Sequence, residues 1–151
     1  MKKILLFCLM ALTLVGCSKD DEEATAQTFF VNAYYTYSDY PDYGNRIADN
    51  TFVGLYEDNG NDIGSVKTTS LSIYDTNENE LSLKYTSSSS NGINTFEGIP
   101  NGNYVLLVVH YPYTYTRYYS YKKITVNKSY NYTTEKIVFD CSKSSGYQIW
   151  Q

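Results

Sequence analysis

Residues 95–110 read TFEGIPNGNYVLLVVH, a polar turn followed by an apolar run. Pro100 fixes its own φ ahead of the corner, and Gly102 is expected to let the backbone reverse there. Because side chains alternate across a strand, Tyr104 and Leu106 then point inward together. The segment therefore predicts a β-strand that begins at a tight corner.

The run at residues 104–109 is apolar on both faces of this predicted strand. An antiparallel strand with one face in solvent would alternate apolar and polar residues, so we expect a central strand with both faces covered. One face belongs to the core. The cover over the other face is expected to be the C-terminal tail, the N-terminal segment or a partner chain.

The composition restricts the class of protein. The 151 residues are 42% hydrophobic and 19% charged, with 18 tyrosines and a formal net charge of −4. This is enough apolar material for one packed domain. The acidic balance excludes a strongly basic nucleic-acid binder. Three cysteines, of which Cys8 and Cys17 lie in the leader, exclude a disulfide scaffold.

Short segments rich in Tyr, Thr, Val and Ile alternate with turn signals along the rest of the chain. This pattern predicts an all-β fold, an antiparallel β-sandwich of about seven to nine strands. Residues 66–75 are expected to form one strand, and the serine-rich residues 86–92 a loop. The other predicted strands are residues 28–37, 50–57, 81–85, 93–96, 104–110, 118–126 and 130–140, with a short last strand in the tail, residues 142–151.

The corner and the strand after it, residues 96–108, follow the pattern F-x-x-(hydrophobic)-P-x-G-x-Y-x-L-x-V. Residues 52–60 (FVGLYEDNG) and 121–126 (YKKITV) supply an earlier strand with its turn and a later strand. Over about residues 46–140 the chain resembles carboxypeptidase regulatory-like and prealbumin-like domains. The resemblance implies a prealbumin-like or Ig-like sandwich, in a family whose modules are mostly non-catalytic. Residues 63–92 are a longer insert than that family usually carries.

The N-terminus is organised like a secretory signal. Two lysines precede ILLFCLMALTLV at residues 4–15, a run shorter than the ~20 apolar residues that span a bilayer. Residues 14–17, LVGC, resemble the bacterial lipobox. The resemblance implies cleavage before Cys17, a covalent lipid on its thiol and acylation of the new N-terminus. An ordinary signal peptide with a chance cysteine is the alternative.

Residues 18–23, SKDDEE, resemble the export signal of surface lipoproteins in the Bacteroidetes. The resemblance implies an outer-membrane lipoprotein that faces the cell exterior, held by its lipid without spanning the membrane. A flexible acidic tether is the plainer interpretation, and both can hold together. The predicted domains are a signal peptide at residues 1–16, a lipidated tether at 17–27 and a β-sandwich at 28–151.

Residues that carry common catalytic chemistry are few. His110 is the one histidine, and at the end of an apolar strand it is expected to be structural or solvent-facing. The sequence has no Gly-x-Ser-x-Gly elbow, Cys-x-x-Cys pair or phosphate loop. The hydrolase branch of the prealbumin-like fold needs several histidines and a Tyr-Arg-Gly-Ser ending, whereas this chain ends YQIWQ. We therefore expect no enzyme activity and no cofactor beyond the lipid on Cys17.

Acidic residues crowd two turns, and these are weak candidates for calcium. Asp58 and Asp62 share one turn, but the spacing is not that of an EF-hand, and turns need such residues in any case. No metal site is therefore expected. A hydrolase that uses carboxylates such as Asp58 and Asp75 ranks last among the functions considered, because no pair can be placed at a defined separation.

Tyrosines concentrate in two segments, residues 34–43 and 111–121. Tyrosine offers a large rigid contact surface with a polar tip, which suits recognition loops, although it also simply favours strands. We expect a binding or adhesion module for a glycan, a peptide or a partner protein. The alternative is a structural subunit of an envelope complex or surface appendage. The candidate ligand-binding residues are Tyr35, Tyr37, Tyr111, Tyr113, Tyr115, Arg117, Tyr118 and Tyr119.

Overall fold

The computed structural model describes residues 26–150, and within that range the chain is built from strands and two short 3₁₀ turns. The strands are β1 (Gln27–Thr36), β2 (Arg46–Ile47), β3 (Thr51–Glu57), β4 (Ile63–Lys67), β5 (Ser72–Asp75), β6 (Leu83–Thr86), β7 (Ser88–Ser90), β8 (Ile93–Ile99), β9 (Gly102–Tyr113), β10 (Thr116–Val126), β11 (Thr134–Asp140) and β12 (Gly146–Tyr147). The signal peptide, Cys17 and most of the acidic tether lie outside the described residues.

Two five-stranded sheets face each other as a β-sandwich, which confirms the predicted fold class. The first sheet has the order β11-β1-β8-β7, with β2 also paired to β1, and the second has the order β12-β10-β9-β3-β6. The strand number differs from the expected seven to nine because several strands are only two to four residues long. Two neighbouring pairs, β1 with β11 and β10 with β12, are parallel, while the others are antiparallel.

The core between the sheets follows from alternation along each strand. Phe29, Val31 and Ala33 of β1 are buried, while the residues between them are half-buried on the opposite face. Phe29 stacks on Phe96 of β8, with ring centroids 4.8 Å apart. From the facing sheet and the neighbouring strands the core also receives Val53, Leu55, Tyr104, Leu106, Val108, Ile124, Val126, Ile137 and Phe139.

The corner before β9 forms as predicted, with one correction. The Tyr104 hydroxyl donates to the Pro100 carbonyl at 3.1 Å and so closes the turn. Gly102 already belongs to β9 and is not left-handed, whereas Gly98, with φ 70°, lies within β8 where the register against β1 shifts. Gly102 matters for space instead, because a Cβ there would lie 3.3 Å from the Tyr104 ring.

The insert, and not the three covers considered above, accounts for most of the second apolar face of β9. Val105, Leu107 and Val109 point away from the main core and form a second cluster with Ile73 and Leu81 of the insert. The half-buried side chains around this cluster include Ile63, Val66 and Leu71, also from the insert, and Phe52, Tyr111, Tyr119 and Tyr121 from the sheet. The tail contributes through Tyr147, whose ring lies 5.7 Å from that of Tyr119 and 5.2 Å from that of Tyr121.

Within the insert the predicted single strand at residues 66–75 is wrong. The chain turns between β4 and β5, and Leu71 adopts a left-handed backbone with φ 56°. The two strands therefore pair as a hairpin, which lets apolar residues from both arms reach the sheet below. The serine run also differs from the expected loop, since Ser88–Ser90 pairs with β8 as an edge strand.

The first strand begins at one end of the sandwich, and β9 ends among tyrosines at the opposite end. Gln27 pairs with Ile99, beside the corner where β9 begins. Tyr113 closes β9 at its other end. Between residues 26 and 150 we find no helix with the length and apolar character needed to cross a membrane.

Candidate functional site

The two tyrosine-rich segments meet at one end of the sandwich. Tyr37 follows directly after β1, and Tyr113 is the last residue of β9. Their side chains are neighbours, and the Tyr113 hydroxyl, together with some burial, raises the pKa of Tyr37 to about 12. The Tyr37 phenol therefore stays protonated at neutral pH. We call the surface formed by Tyr37, Tyr40, Tyr43, Tyr113 and Tyr115 the tyrosine end.

The first cleft of the tyrosine end is aromatic. It has a volume of about 290 Å³ and is lined by Tyr37, Tyr40, Tyr43, Arg46 and Tyr113. The Tyr40 and Tyr43 rings meet edge to face with centroids 6.0 Å apart, on the turn at Pro41–Tyr43. The Arg46 guanidinium lies over the Tyr43 ring at 5.0 Å. This packing positions the rings while Tyr40 and Tyr43 stay more than half exposed.

The second cleft adjoins the first and is more polar. It has a volume of about 330 Å³ and shares Tyr37 and Tyr113 with the aromatic cleft. Asn50 is held there by its side-chain amide, which donates to the Tyr111 carbonyl at 2.8 Å. The polar cleft is lined by Tyr35, Tyr37, Ile47, Asp49, Asn50, His110, Tyr111, Pro112 and Tyr113.

His110 lies beneath the polar cleft and has a structural role. This is one of the two outcomes expected from the sequence, the other being a solvent-facing side chain. Its ring is 3% exposed and stacks between Tyr35, at 5.3 Å, and Phe139, at 5.9 Å. Its Nδ1 lies 3.1 Å from the Asn50 carbonyl oxygen, which can only accept, so Nδ1 carries the proton. Burial lowers the pKa of His110, against the opposing effect of that hydrogen bond, and keeps the imidazole neutral.

Of the predicted ligand-binding residues, Tyr113 and Tyr115 are the most exposed, at 66% and 92%. Tyr111 and Arg117 contact each other, with the guanidinium 5.8 Å from the ring, at the edge of the outer apolar cluster. Tyr119 also packs on that outer face. Only part of the predicted set therefore forms one accessible surface.

Tyr118 does not fit the predicted ligand-binding role. It is 4% exposed, and its hydroxyl donates to the carbonyls of Cys141 and Lys143, each at 3.2 Å. The reason is that side chains alternate between the two faces of β10, and Tyr118 lies on the same face as the core residues Ile124 and Val126. Tyr35 is likewise half-buried against His110 and supports the cleft from beneath.

Several residues of the tyrosine end were not among the predicted site residues. Tyr40 and Tyr43 were recognised as part of a tyrosine-rich segment, but Arg46, Asp49 and Asn50 carried no motif. They join the site because β2 lies beside β1 and brings the following residues to the same end as Tyr113. The spacing of aromatic residues around the turn YPDYGNR, residues 40–46, is the signal that could have pointed to the aromatic cleft.

The acidic turns hold hydrogen bonds and ion pairs. Asp58 pairs with Lys123 at 3.1 Å and accepts from the Gly60 backbone. Asp75 is 2% exposed and accepts from the side chains of Asn59, Asn61 and Asn79 and from the backbone of Asn77 and Asn79. No group of three or more His, Cys, Asp or Glu side chains placed to hold a metal ion occurs within residues 26–150.

A cleft at the opposite end of the sandwich is occupied by internal ion pairs. It has a volume of about 400 Å³ and lies beside the corner where β9 begins. Glu57 pairs with Lys84 across it at 2.8 Å, and Asp58 is held by Lys123. Its charges are therefore already satisfied within the chain, in contrast to those at the tyrosine end.

Cys141, the thiol outside the leader, is half-buried next to the core. Burial, together with the neighbouring Asp140 carboxylate, raises its pKa to about 11. The thiol is therefore protonated at neutral pH and a poor nucleophile.

Comparison with known proteins adds little to this picture. No protein-family model matches the chain, and no curated protein matches it significantly. A solved structure that resembles it is that of a Pseudomonas aeruginosa protein provisionally described as carbohydrate-binding. The two share 14% identity over 78% of this chain and 89% of the other, with a TM-score of 0.38. A likeness this distant says nothing about what this chain binds.

Proposed function

We propose that this chain is a surface lipoprotein of the outer membrane whose β-sandwich is a non-enzymatic binding module for a glycan. The observation that carries the proposal is the convergence of two tyrosine-rich segments, far apart in sequence, into one exposed end with two adjoining clefts. The Cys17 lipid anchor remains an inference from the sequence. The choice of a glycan rests on the chemistry of the tyrosine end.

The chemistry of the tyrosine end suits a sugar better than an extended peptide. Exposed aromatic faces such as those of Tyr40, Tyr43 and Tyr113 offer flat apolar surface to the C–H face of a pyranose ring. Their hydroxyls and the side chains of Asp49 and Asn50 provide the polar groups that orient a ligand. Binding of a tyrosine-contacting peptide instead is an outcome that the experiment below distinguishes.

A binding role is favoured over catalysis by the state of the titratable groups. His110 is buried, neutral and stacked between two rings. Asp75, one of the carboxylates considered for a hydrolase, lies in a turn of the insert and accepts hydrogen bonds on both oxygens. Neither group is placed to exchange a proton with a ligand at the tyrosine end.

The position of the tether favours presentation away from a membrane. β1 begins at Gln27, and its ten residues span about 30 Å before the chain reaches Tyr37. A lipid attached ahead of β1 would therefore hold the opposite end of the sandwich near the membrane. The tyrosine end would then project outward, where a glycan can reach it.

An assembly subunit, the alternative function, loses its main support. The doubly apolar strand β9 suggested a surface that awaits a partner chain. Residues of the insert, Ile73 and Leu81 among them, already cover that face. The apolar character of β9 is thus explained within one copy of the chain.

The binding proposal is tested on a glycan array and a tyrosine-containing peptide array with the protein lacking residues 1–16. We expect the wild type to bind glycans, and Tyr43→Ala and Tyr113→Ala each to weaken binding roughly 2- to 10-fold through loss of one aromatic contact. Tyr132→Ala is the matched control, since Tyr132 is 72% exposed but follows the turn at Lys128–Tyr130, far from the tyrosine end. Peptide binding alone, or equal loss in the control, would reject the proposal.

The anchor is tested separately in cells. Labelled palmitate is expected to be incorporated into the wild type and not into Cys17→Ala. Surface exposure is expected to make the folded domain accessible to an antibody on intact cells. Wild-type protein without label, or without antibody access, would remove the lipoprotein or the surface part of the proposal and leave the binding part intact.

A further inference from the structure

The tyrosine end carries charges of both signs that are not paired with each other. Arg46 lines the aromatic cleft and Asp49 lines the polar cleft. Neither takes part in the ion pairs formed between residues 26 and 150. Arg46 instead lies over the Tyr43 ring, with its guanidinium carbon 5.0 Å from the ring centroid, and its N–H groups can donate to a ligand. Each cleft thus has a charged side chain with unused hydrogen-bonding capacity.

Tyr37 and Tyr113 stand between the two clefts. Both residues line both clefts, so the clefts are continuous across this pair. We call this shared boundary, formed by Tyr37 and Tyr113, the ridge between the clefts. A ligand that contacts Arg46 in one cleft and Asp49 in the other must extend across that ridge, which two linked sugar rings can do.

The hydrogen-bonding groups of the clefts are complementary to hydroxyl groups. Asp49 supplies carboxylate acceptors, and Asn50 uses its amide nitrogen on the Tyr111 carbonyl, which leaves its oxygen to accept. Arg46 supplies donors only. Sugar hydroxyls can both donate and accept, so a neutral sugar satisfies either cleft.

Charge decides between neutral and acidic ligands. Arg46 is the cation that lines the clefts, while Asp49 lies in the adjoining cleft and Asp42 is on the turn that carries Tyr43. Asp39 precedes the same turn and is exposed. Arg117 adds a second cation beside Tyr111 of the polar cleft. The three carboxylates still outnumber the two guanidinium groups, so a carboxylated sugar would meet more negative than positive charge at this end.

We propose that the site binds a neutral oligosaccharide of at least two rings, one against the tyrosines of the aromatic cleft and the next against Asp49 and Asn50. This inference rests on the proposed function and adds the substrate class and the minimum length. It follows from the two clefts on either side of the Tyr37–Tyr113 ridge and from the excess of carboxylates around them.

The test is calorimetric titration of the protein lacking residues 1–16 with three kinds of probe. These are neutral trisaccharides (cellotriose, maltotriose, mannotriose and tri-N-acetylchitotriose), the matching monosaccharides, and acidic trisaccharides (trigalacturonic acid and sialyllactose). We expect at least one neutral trisaccharide to bind 10-fold or more tightly than its monosaccharide and than either acidic probe. In Asp49→Asn, the ratio of the affinity for neutral probes to the affinity for acidic probes should fall by about two- to fivefold.

The control for charge is Glu97→Gln. Glu97 is exposed near the end of β8 and lies far from the clefts. Its substitution should leave the preference for neutral over acidic probes unchanged. Equal or tighter binding of acidic trisaccharides, or of a monosaccharide, would overturn the inference while leaving a glycan-binding function in place. Failure of every probe to bind, together with an empty glycan array, would overturn the inference and the proposed function together.

Discussion

At the residue scale, Asp75 links the insert to the turn after β3. Its carboxylate accepts from the Asn59 side chain at 2.8 Å and the Asn61 side chain at 2.9 Å, both in that turn. It also accepts from the backbone of Asn77 and Asn79 in the next turn. Burial alone would raise the pKa of Asp75, but these hydrogen bonds reverse the effect and hold it well below the usual value.

This arrangement predicts a pH dependence of stability. Because the folded pKa of Asp75 lies below its unfolded value of about 3.9, the ionised carboxylate stabilises the fold above that value. The contribution is lost as the pH falls through the folded value. We expect Asp75→Asn to melt at a lower temperature than wild type at pH ~7, with the gap closing below pH ~3. Thermal denaturation from about pH 7 to about pH 2 measures both curves.

Glu97→Gln serves as the control, since Glu97 is exposed and should leave the melting curves unchanged. Asp140, whose pKa is also lowered by backbone hydrogen bonds from Ser38 and Ser142, accounts for acid sensitivity that remains in the variant. A gap between Asp75→Asn and wild type that persists unchanged at the lowest pH would contradict the role given to Asp75.

The identity of the tyrosine-rich segments could be predicted from the sequence, but the exposure of each tyrosine could not. Tyr115 and Tyr118 are three residues apart in the same segment, yet one is 92% exposed and the other 4%. The difference depends on where β10 begins and which of its faces meets the core. Tyr118 and Ile124 are an even number of residues apart and so share a face of β10, which is a local indication that Tyr118 is buried. No local signal in the sequence predicts that Tyr37 lies beside Tyr113, because this depends on the order of strands in two sheets.

At the element scale, the β4–β5 hairpin of the same chain covers the outer face of the second sheet, so no partner chain is needed there. Ile73 is fully buried between the hairpin and the outer residues of β9. The Tyr56 hydroxyl of β3 donates to the Leu71 carbonyl and ties the turn of the hairpin to the sheet. The insert is therefore part of the packed structure and not a surface decoration.

A single substitution in the hairpin should reveal this. Ile73→Ala is expected to lower the free energy of unfolding by about 2–5 kcal/mol, since it removes buried methyl groups and leaves a cavity. Leu83→Ala, at a 43% exposed position on β6, should cost less than about 1 kcal/mol. Urea denaturation measures both. Comparable values for the two variants would mean that the hairpin contributes little to stability.

Most of the longer strands could be predicted from alternation and turn residues. β1, β3 and β10 begin and end within about two residues of their expected bounds. Alternation fails in the insert because Leu71 is apolar and sits in a turn with a left-handed backbone, which nothing in its residue type announces. It also could not identify the cover of β9, since that depends on contacts between segments distant in sequence.

At the scale of the whole molecule, the first sheet depends on the C-terminal part of the chain. β1 lies between β8 and β11, and its parallel pairing with β11 runs from Phe30↔Thr134 to Thr36↔Asp140. β11 also supplies Ile137 and Phe139 to the core. A chain that stops before β11 loses one neighbour of β1 and part of the core at the same time.

We therefore expect a chain of residues 17–132 not to fold. Far-UV circular dichroism during heating should show no cooperative transition, whereas residues 17–151 should show one. Lys136→Ala, at an exposed position on β11, is the control for a change in that strand that spares the core. A cooperative transition in the shortened chain would show that β1 is held well enough without β11.

The parallel pairing of the first and eleventh strands has a consequence for the order of events in the cell. Ribosomes make β1 first, yet the strand that completes its pairing is made more than a hundred residues later. The nascent chain thus lacks a finished sheet for almost the whole of its synthesis. If it is threaded through a translocation pore as an extended polypeptide, this delay keeps it in a transportable form until β11 has been made.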